Sequence, residues 1–245
     1  MTEKELYEAI NGSNKSVVGD KERALYSAFP TLMRKVYVWM ALALVITGIT
    51  AYGVASSPSL LMTIYSSKAI LWGLIIGELV LVIAISAAIN RLSLGTATLL
   101  FILYSALNGA TLSSIFVLFE IATIGKVFFI TAGTFGVMAF YGYTTKRDLS
   151  SIGKILFMAL LGLIIATVVN MFMKSATFDY VLSYIGVLIF TGLTAWDTQK
   201  IKQMLQTQYD LSEDAQKLAL LGALTLYLDF INLFLYLLRI FGRRD

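Results

Sequence analysis

Long apolar runs, separated by short polar connections, dominate the hydropathy pattern of this chain. Seven of them have the length and the lack of charge of a spanning helix, which needs about 20 predominantly apolar residues. They cover residues 36–55, 69–89, 94–119, 124–144, 155–173, 180–195 and 218–241. The pattern therefore predicts an all-α integral membrane protein, with a cytoplasmic N-terminal tail at 1–35 and a seven-helix transmembrane domain at 36–245.

The composition agrees with this pattern and excludes several classes of function. Hydrophobic residues make up 58% of the 245 and charged residues only 14%, whereas a soluble globular chain has about 25% charged residues. The chain contains no cysteine and no histidine, so thiolate sites, imidazole metal sites and histidine bases are excluded. A net charge of +4 argues against nucleic-acid binding. The expected partner is therefore the lipid bilayer.

The polar connections predict how the chain is oriented. Residues 1–35 have mixed charge and no leading apolar core, so they are not a signal peptide and are typical of a cytoplasmic tail. Lys and Arg are more frequent in the connections on the side of this tail, which places the N-terminus inside. Arg239, Arg243 and Arg244 conflict with that bias, because seven spans place them outside. A re-entrant last segment is the alternative, but the last run is long enough to span, so seven full spans are expected.

A carboxylate lies deep inside the last apolar run. Asp229 is about 16 Å from the start of that run at 1.5 Å per residue. Because a charged aspartate at the centre of a spanning helix costs about 2.5–3.5 kcal/mol on insertion scales, it indicates a functional site. Its helical face also carries, at steps of three and four, Gly222, Thr225, Asn232 and Tyr236. This polar stripe, with Thr225 and Asn232 in support, is expected to face protein or a wet cavity.

A second acid, Asp197, follows the preceding apolar run. The chain is interpreted as a scaffold that brings Asp197 and Asp229 together. Since Asp197 is predicted to be shallower, their meeting requires a cytoplasmic cavity, a late start of the last segment or a tilt. The connection at 198–217 is unusually long. Within it, Ser212 before two acidic residues is typical of a helix N-cap, so the last helix is expected to begin ahead of the membrane.

Other polar groups lie inside or beside the spans. Glu78 is near the middle of the second run, where a carboxylate indicates function, and we expect it to bind an ion. Asn108 shares helical spacing with Tyr104 and Thr111 in the third run, which favours interhelical hydrogen bonds. Arg91 follows the second run on the side of Asp197. It either serves the positive-inside rule or forms an ion pair that closes the cavity over Asp197.

The two aspartate-bearing stretches resemble the Bax inhibitor-1 family, in its bacterial YccA-like branch. They are FTGLTAWDTQKIK and LYLDFINLFLYLLRIFG, and GELVLVIAISAAINRLS is similar to the second span of that family. The resemblance covers about residues 32–242. It implies seven helices with the last surrounded by the other six, in a cell membrane that is the bacterial cytoplasmic membrane. It also implies a role in pH-dependent calcium leak, with calcium as the transported ion and no other cofactor.

The resemblance also assigns roles to individual residues. It implies that Asp197, in D-T-Q, and Asp229, in Y-L-D-F, form a pH-sensing pair that lines the ion pathway. It further implies that Arg91 is a latch and that Glu78 is the second-span glutamate of the family. Calcium takes six to eight oxygen ligands, and Asp197, Asp229 and Glu78 are the expected transient ligands. Trp196 departs from the tyrosine that is common before the first aspartate.

Three functions remain open from the sequence. The first is a cation leak, in which two close carboxylates share a proton and its loss opens a path. The second is an intramembrane aspartyl protease, which also needs two aspartates; however, L-Y-L rather than a glycine-rich sequence precedes Asp229, and no P-A-L motif occurs. A non-enzymatic protein is therefore favoured. The third, implied by the resemblance, is a regulator that binds a membrane-bound quality-control protease through residues 1–35.

Overall fold

The structure is a computed structural model that describes residues 3–242, with side chains described from Ala28 onward. Within this range the chain forms helices and no strand. The helices are α1 (Glu3–Ala55), α2 (Pro58–Ser66), α3 (Lys68–Ala88), α4 (Leu94–Leu112), α5 (Ile115–Leu118), α6 (Ile121–Thr144), α7 (Ser150–Met173), α8 (Ala176–Gln206) and α9 (Glu213–Phe241).

Seven stretches of the described chain are long and apolar enough to cross a bilayer. They are Ala28–Ala55, Lys68–Ala88, Leu94–Leu118, Ile121–Thr144, Ser150–Met173, Ala176–Gln206 and Glu213–Phe241. The predicted all-α membrane protein with seven transmembrane helices is confirmed. The predicted boundary between tail and domain at residue 35 falls inside α1, which continues through Pro30 without a break. That division stays a prediction.

Serine N-caps begin four of the spanning helices where the polar connections end. The hydroxyl oxygens of Ser67, Ser93, Ser175 and Ser212 accept hydrogen bonds from backbone N–H groups three residues later, at 3.2–3.4 Å. Each satisfies one of the donors that a helix N-terminus leaves free. For α9 this confirms the predicted cap at Ser212, and the helix begins ahead of its apolar run.

The connection between the last two spans is shorter than the sequence suggested. The predicted run ended at residue 195, but α8 continues to Gln206, and α9 starts at Glu213. The long connection predicted at 198–217 is therefore wrong, because polar helical turns extend both helices beyond their apolar runs and leave only residues 207–212 between them. The α9 helix is also continuous over 29 residues, whereas a re-entrant segment needs a break.

The α9 helix occupies the centre of the bundle. In the most apolar 18-residue stretch of α9, 67% of the residues are buried inside the protein, compared with 6% for the same stretch of α3 and 11% for that of α7. It packs extensively on α1, α4, α6 and α8, while α3 packs on α4 and α7 packs on α8. Four helices thus enclose α9 directly. The other two, α3 and α7, line a cavity beside it.

Glycines let α8 lie close to its neighbours around Asp197. A Cβ at Gly142 of α6 would overlap the carbonyl group of Ala195, and a Cβ at Gly153 of α7 would overlap the ring of Trp196. Small residues permit such approach of helices in a membrane, where packing rather than hydrophobic burial drives association. The part of α8 that carries Asp197 is therefore held tightly from two sides.

Candidate functional site

The structure brings Asp197 of α8 and Asp229 of α9 together. Their carboxyl groups lie within hydrogen-bonding reach of each other. Only 9% of Asp197 and 5% of Asp229 are exposed, so bulk water does not separate them. The pairing inferred from the two last spans is thus present in the fold.

Close contacts on both sides of the pair explain why the two helices meet there. On one side, a Cβ at Gly222 of α9 would lie 3.0 Å from Cγ2 of Ile201. On the other, a Cβ at Gly186 of α8 would lie 2.7 Å from the ring of Tyr236. The two helices run antiparallel, and these glycines let them approach before and after the aspartates. The carboxyl groups are consequently fixed opposite each other by backbone packing.

The hydrogen bonding of the pair is incomplete. Oδ2 of Asp229 is buried and has no hydrogen-bond donor among the described residues. A buried charged oxygen without a partner is energetically costly. The site therefore suits a shared proton or a bound cation between the two carboxyl groups.

A cation that acts on Asp197 was missed by the sequence analysis. Lys200 interacts electrostatically with Asp197, and its Nζ lies 5.2 Å from the ring centroid of Trp196. The spacing of three residues along α8 was the available signal, because residues three apart share a helical face. Lys200 is exposed, so solvent screens this interaction.

A cavity of about 750 Å³ lies beside the pair. Side chains from α3, α4, α7, α8 and α9 line it, and α3 and α7 form its two sides. Five of the predicted site residues are in its wall: Glu78, Asp197, Thr225, Asp229 and Asn232. Three carboxyl groups therefore face one space inside the region that the bilayer surrounds.

Glu78 differs from the pair because both of its oxygens are hydrogen-bonded. Nδ2 of Asn108 donates to Oε2 at 3.0 Å, and Oγ1 of Thr111 donates to Oε1 at 2.5 Å. The two donors lie on successive turns of α4, which is the neighbour on which α3 packs. Asn108, predicted as a supporting polar group, thus positions Glu78 rather than the aspartate pair.

A buried tyrosine on the central helix extends this network. Tyr227 is fully buried, and its hydroxyl group donates to Oδ1 of Asn108 at 3.0 Å. The hydroxyl oxygen also lies 2.7 Å from Oγ1 of Thr47 on α1. Each of these two hydroxyl groups has a single hydrogen: Tyr227 donates its hydrogen to Asn108, and Thr47 donates its hydrogen to the carbonyl oxygen of Ser105 at 3.0 Å. A chain of hydrogen bonds thus runs from Tyr227 on α9 through Asn108 on α4 to Glu78 on α3.

The sequence analysis did not single out Tyr227. It stands two positions before Asp229, and a step of about 200° turns it to the opposite face of α9. Its hydrogen-bond partner, Asn108, is on a different helix, so only the structure shows the contact. The other supporting residues, Thr225 and Asn232, donate to carbonyl groups of their own helix at 3.1 and 2.8 Å.

The structure does not bring Arg91 to Asp197. Arg91 is exposed in the connection between α3 and α4. The ion pairs among the described residues are Lys217–Asp214 at 2.7 Å and Arg239–Asp179 at 3.7 Å. The ion pair predicted between Arg91 and Asp197 is therefore absent, because Arg91 stays in solvent while Asp197 faces the interior.

The three acids also do not form one cluster. No group of three or more carboxylate, imidazole or thiolate side chains among the described residues is arranged to hold a metal ion. The predicted transient calcium ligands are instead divided into a pair, Asp197 and Asp229, and a single carboxylate, Glu78. They share the cavity wall without sharing one coordination sphere.

Comparisons with known proteins agree with this architecture. A family model described as inhibitor of apoptosis-promoting Bax1 matches residues 30–245. The inner membrane protein YbhL of Escherichia coli K12 is 52% identical over 216 residues, which cover 87% of this chain and 92% of YbhL. An uncharacterized protein of Borreliella burgdorferi is 46% identical over 212 residues, 86% of this chain and 91% of its own. The chain belongs to the Bax inhibitor-1 family of multi-pass membrane proteins.

Proposed function

We propose that this membrane protein is a pH-sensitive leak pathway for cations, with calcium as the ion and the Asp197–Asp229 pair as its control. One observation carries the proposal. Two buried carboxyl groups lie within hydrogen-bonding reach in the wall of a cavity, and one oxygen of Asp229 has no donor among the described residues.

The chemistry of the pair supports a switch. Two carboxyl groups this close do not ionise independently, and they titrate as a unit that holds one proton between them. The shared proton supplies the hydrogen bond that the pair lacks and keeps α8 against α9. Its loss leaves two like charges side by side, which repel and separate the two helices. Low pH therefore favours the closed pathway and high pH the open one.

The same deprotonation creates a site for a hard cation. Calcium prefers carboxylate and carbonyl oxygens, and the separated carboxylates of Asp197 and Asp229 offer them. Glu78 adds a third carboxylate in the same cavity wall. We expect it to attract and bind the ion on its way to the pair, since its two donors fix its orientation.

The test is calcium flux into liposomes that contain the purified protein, measured across pH. Flux should rise with pH in the unaltered protein, and Asp197→Asn should remove this response because an amide cannot ionise. Asp179→Asn is the matched control: it removes an exposed carboxylate from the first turn of the same helix and should keep the response. A wild-type protein that conducts no cation at any pH, or an unaltered response in Asp197→Asn, contradicts the proposal.

The alternative function, regulation of a membrane-bound quality-control protease, stays a prediction. Its expected contact is the tail at 1–35. Most side chains of that tail lie outside the described residues, so its surface carries no argument for a partner. The two functions are compatible, because the tail precedes the span that begins at Ala28.

A further inference from the structure

A crevice separates α1 from α6 on the face of the bundle away from the carboxyl groups. One end of it is a hollow of about 500 Å³. Residues at helical spacing on both walls line this first hollow, among them Arg34 and Tyr37 of α1 and Phe135, Gly136 and Tyr143 of α6. Phe230 and Phe234 of α9, which line the crevice further along, are turned by about 100° and 140° around the helix from Asp229. The crevice and the carboxylate cavity are thus on different sides of α9.

A second hollow of about 490 Å³ continues the crevice along the same faces of α1 and α6. Three phenylalanine rings divide the two hollows, since Phe230 makes edge contacts at 5.5 Å with both Phe128 and Phe135. Each helix packs on α9 rather than extensively on the other, so the crevice opens toward the surrounding membrane. Its occupant must come from the bilayer.

Charge distinguishes the first hollow from the second. Arg34 is exposed in the wall of the first hollow and has no acidic partner among the described residues. Lys202 of α8 lies at its edge, where Nζ donates to the carbonyl group of Tyr143 at 2.7 Å and stands 5.3 Å from the ring centroid of that residue. The described lining of the second hollow is almost entirely apolar and contains no charged side chain.

Aromatic side chains line the same part of the crevice as these two cations. The ring of Phe29 stacks on Tyr143 at 6.3 Å, and Tyr37 also lines the first hollow. Amphipathic aromatic rings are typical of the level at which lipid head groups begin. The cations Arg34 and Lys202 are therefore placed where a phosphate group of the bilayer is found.

We propose that the first hollow binds an anionic phospholipid. Its phosphate lies between Arg34 and Lys202, and one acyl chain fills the apolar space between α1 and α6. Basic pockets between spanning helices bind anionic head groups. The planar guanidinium group of Arg34 suits bidentate contact with phosphate. Lys202 uses one of its three hydrogens for Tyr143 and keeps two for the ligand.

One glycine of α6 lines each hollow and offers a place to fill it selectively. A Cβ at Gly136 in the first hollow, or at Gly125 in the second, would have no described atom within 4 Å. The substitution Gly136→Phe thus places a side chain where the lipid chain is proposed to lie. Gly125→Phe is its matched control on the same helix, about 16 Å away at 1.5 Å per residue.

The experiment is native mass spectrometry of the detergent-purified protein, titrated with phosphatidylglycerol and, separately, with phosphatidylcholine. The unaltered protein should retain phosphatidylglycerol several-fold more strongly. Arg34→Gln combined with Lys202→Gln should remove this preference, and Gly136→Phe should weaken binding several-fold. Gly125→Phe, and Lys126→Gln at the other end of α6, should keep the wild-type preference, with thermal unfolding confirming that every variant is folded.

Three outcomes overturn the site. Equal retention of the two lipids by the unaltered protein would show that the site does not distinguish their head groups. An equal loss in Lys126→Gln shows that net charge, rather than the paired cations, attracts the lipid. Wild-type retention in a folded Gly136→Phe shows that the acyl chain lies elsewhere. None of these results depends on whether the protein conducts calcium.

Discussion

Two carboxylate sites face the same cavity and are built in opposite ways. Both oxygens of Glu78 accept hydrogen bonds, from Asn108 and Thr111. In the Asp197–Asp229 pair, Oδ2 of Asp229 is buried without a donor among the described residues. Glu78 is half-buried and supported from α4, whereas the aspartates face each other across the α8–α9 contact.

The difference indicates a division of roles. A carboxylate with complete hydrogen bonds holds one orientation, because turning away would leave buried donors unpaired. A carboxyl pair without enough donors depends on a proton or a cation, so its geometry changes when either is gained or lost. The fixed site is therefore suited to ion binding, and the incomplete site is suited to gating.

The largest effect is expected from removing the ionisable group of either aspartate. Asp197→Asn and Asp229→Asn should each abolish the pH dependence of calcium flux, which in the unaltered protein changes by at most about tenfold per pH unit for a single proton. The double variant should behave like either single variant, since the two groups act as one unit. Liposome flux across pH measures all three. Additive effects of the two substitutions would show that the aspartates titrate separately.

The second largest effect is expected at Glu78, the carboxylate with complete hydrogen bonds. Glu78→Gln keeps the size of the side chain and removes its charge. Calcium binding should weaken by about tenfold or more, because a hydrogen bond or contact to a charged group contributes about 1.5–3 kcal/mol. The pH midpoint should be retained because the aspartates are intact. Calcium titration at constant pH and flux across pH measure the two quantities. Loss of the pH response with unchanged calcium affinity would reverse the assigned roles.

A smaller effect is expected from removing the support of Glu78. Tyr227→Phe deletes the hydroxyl group that donates to Asn108, so the amide becomes free to turn. An interhelical hydrogen bond in a membrane contributes about 0.6 kcal/mol on average, which corresponds to about threefold weaker calcium binding with no change of pH midpoint. Tyr180→Phe, which loses a hydroxyl bond to the carbonyl group of Ile240 far from Glu78, is the control. Equal effects of both variants would exclude a specific role of Tyr227.

The smallest effect is expected at Arg91. This side chain is exposed and makes no ion pair with Asp197 among the described residues. If the latch forms in another state of the pathway, Arg91→Ala should raise the resting leak at low pH a few-fold at most, because exposed ion pairs contribute little. An unaltered or reduced leak would remove Arg91 from the gating mechanism.

The spans and the buried acids themselves were predictable because both depend on local sequence. Apolar runs of about 20 residues specify a spanning helix, and a buried carboxylate such as Asp229 is conspicuous within one. The end of α8 was less predictable. Its last turns contain polar residues, so hydropathy alone ended the helix before Asp197, whereas hydrogen bonding continued it to Gln206.

The partners of the acids were not predictable, because they depend on packing between distant helices. Asn108 and Thr111 were noted for interhelical bonds, but only the contact of α3 with α4 shows that Glu78 is their acceptor. In the sequence, Tyr227 cannot be distinguished from the apolar positions around it. Only the structure shows that its hydroxyl group donates to Asn108. For Arg91, charge and a predicted place on the same side of the membrane as Asp197 suggested an ion pair that solvation of an exposed guanidinium group does not favour.

The central position of α9 has a consequence for how the protein is made. In the two-stage view of membrane protein folding, helices insert first and then associate. The helix that α1, α4, α6 and α8 enclose is also the last of the seven to leave the ribosome. Until α9 is inserted, the other helices must therefore remain in the bilayer without the helix that covers their inner faces. Asp229 enters at a cost of about 2.5–3.5 kcal/mol unless Asp197 is already in place. A nascent chain that stops before α9 is consequently an incomplete bundle, which membrane quality control can recognise by its unpaired inner surfaces.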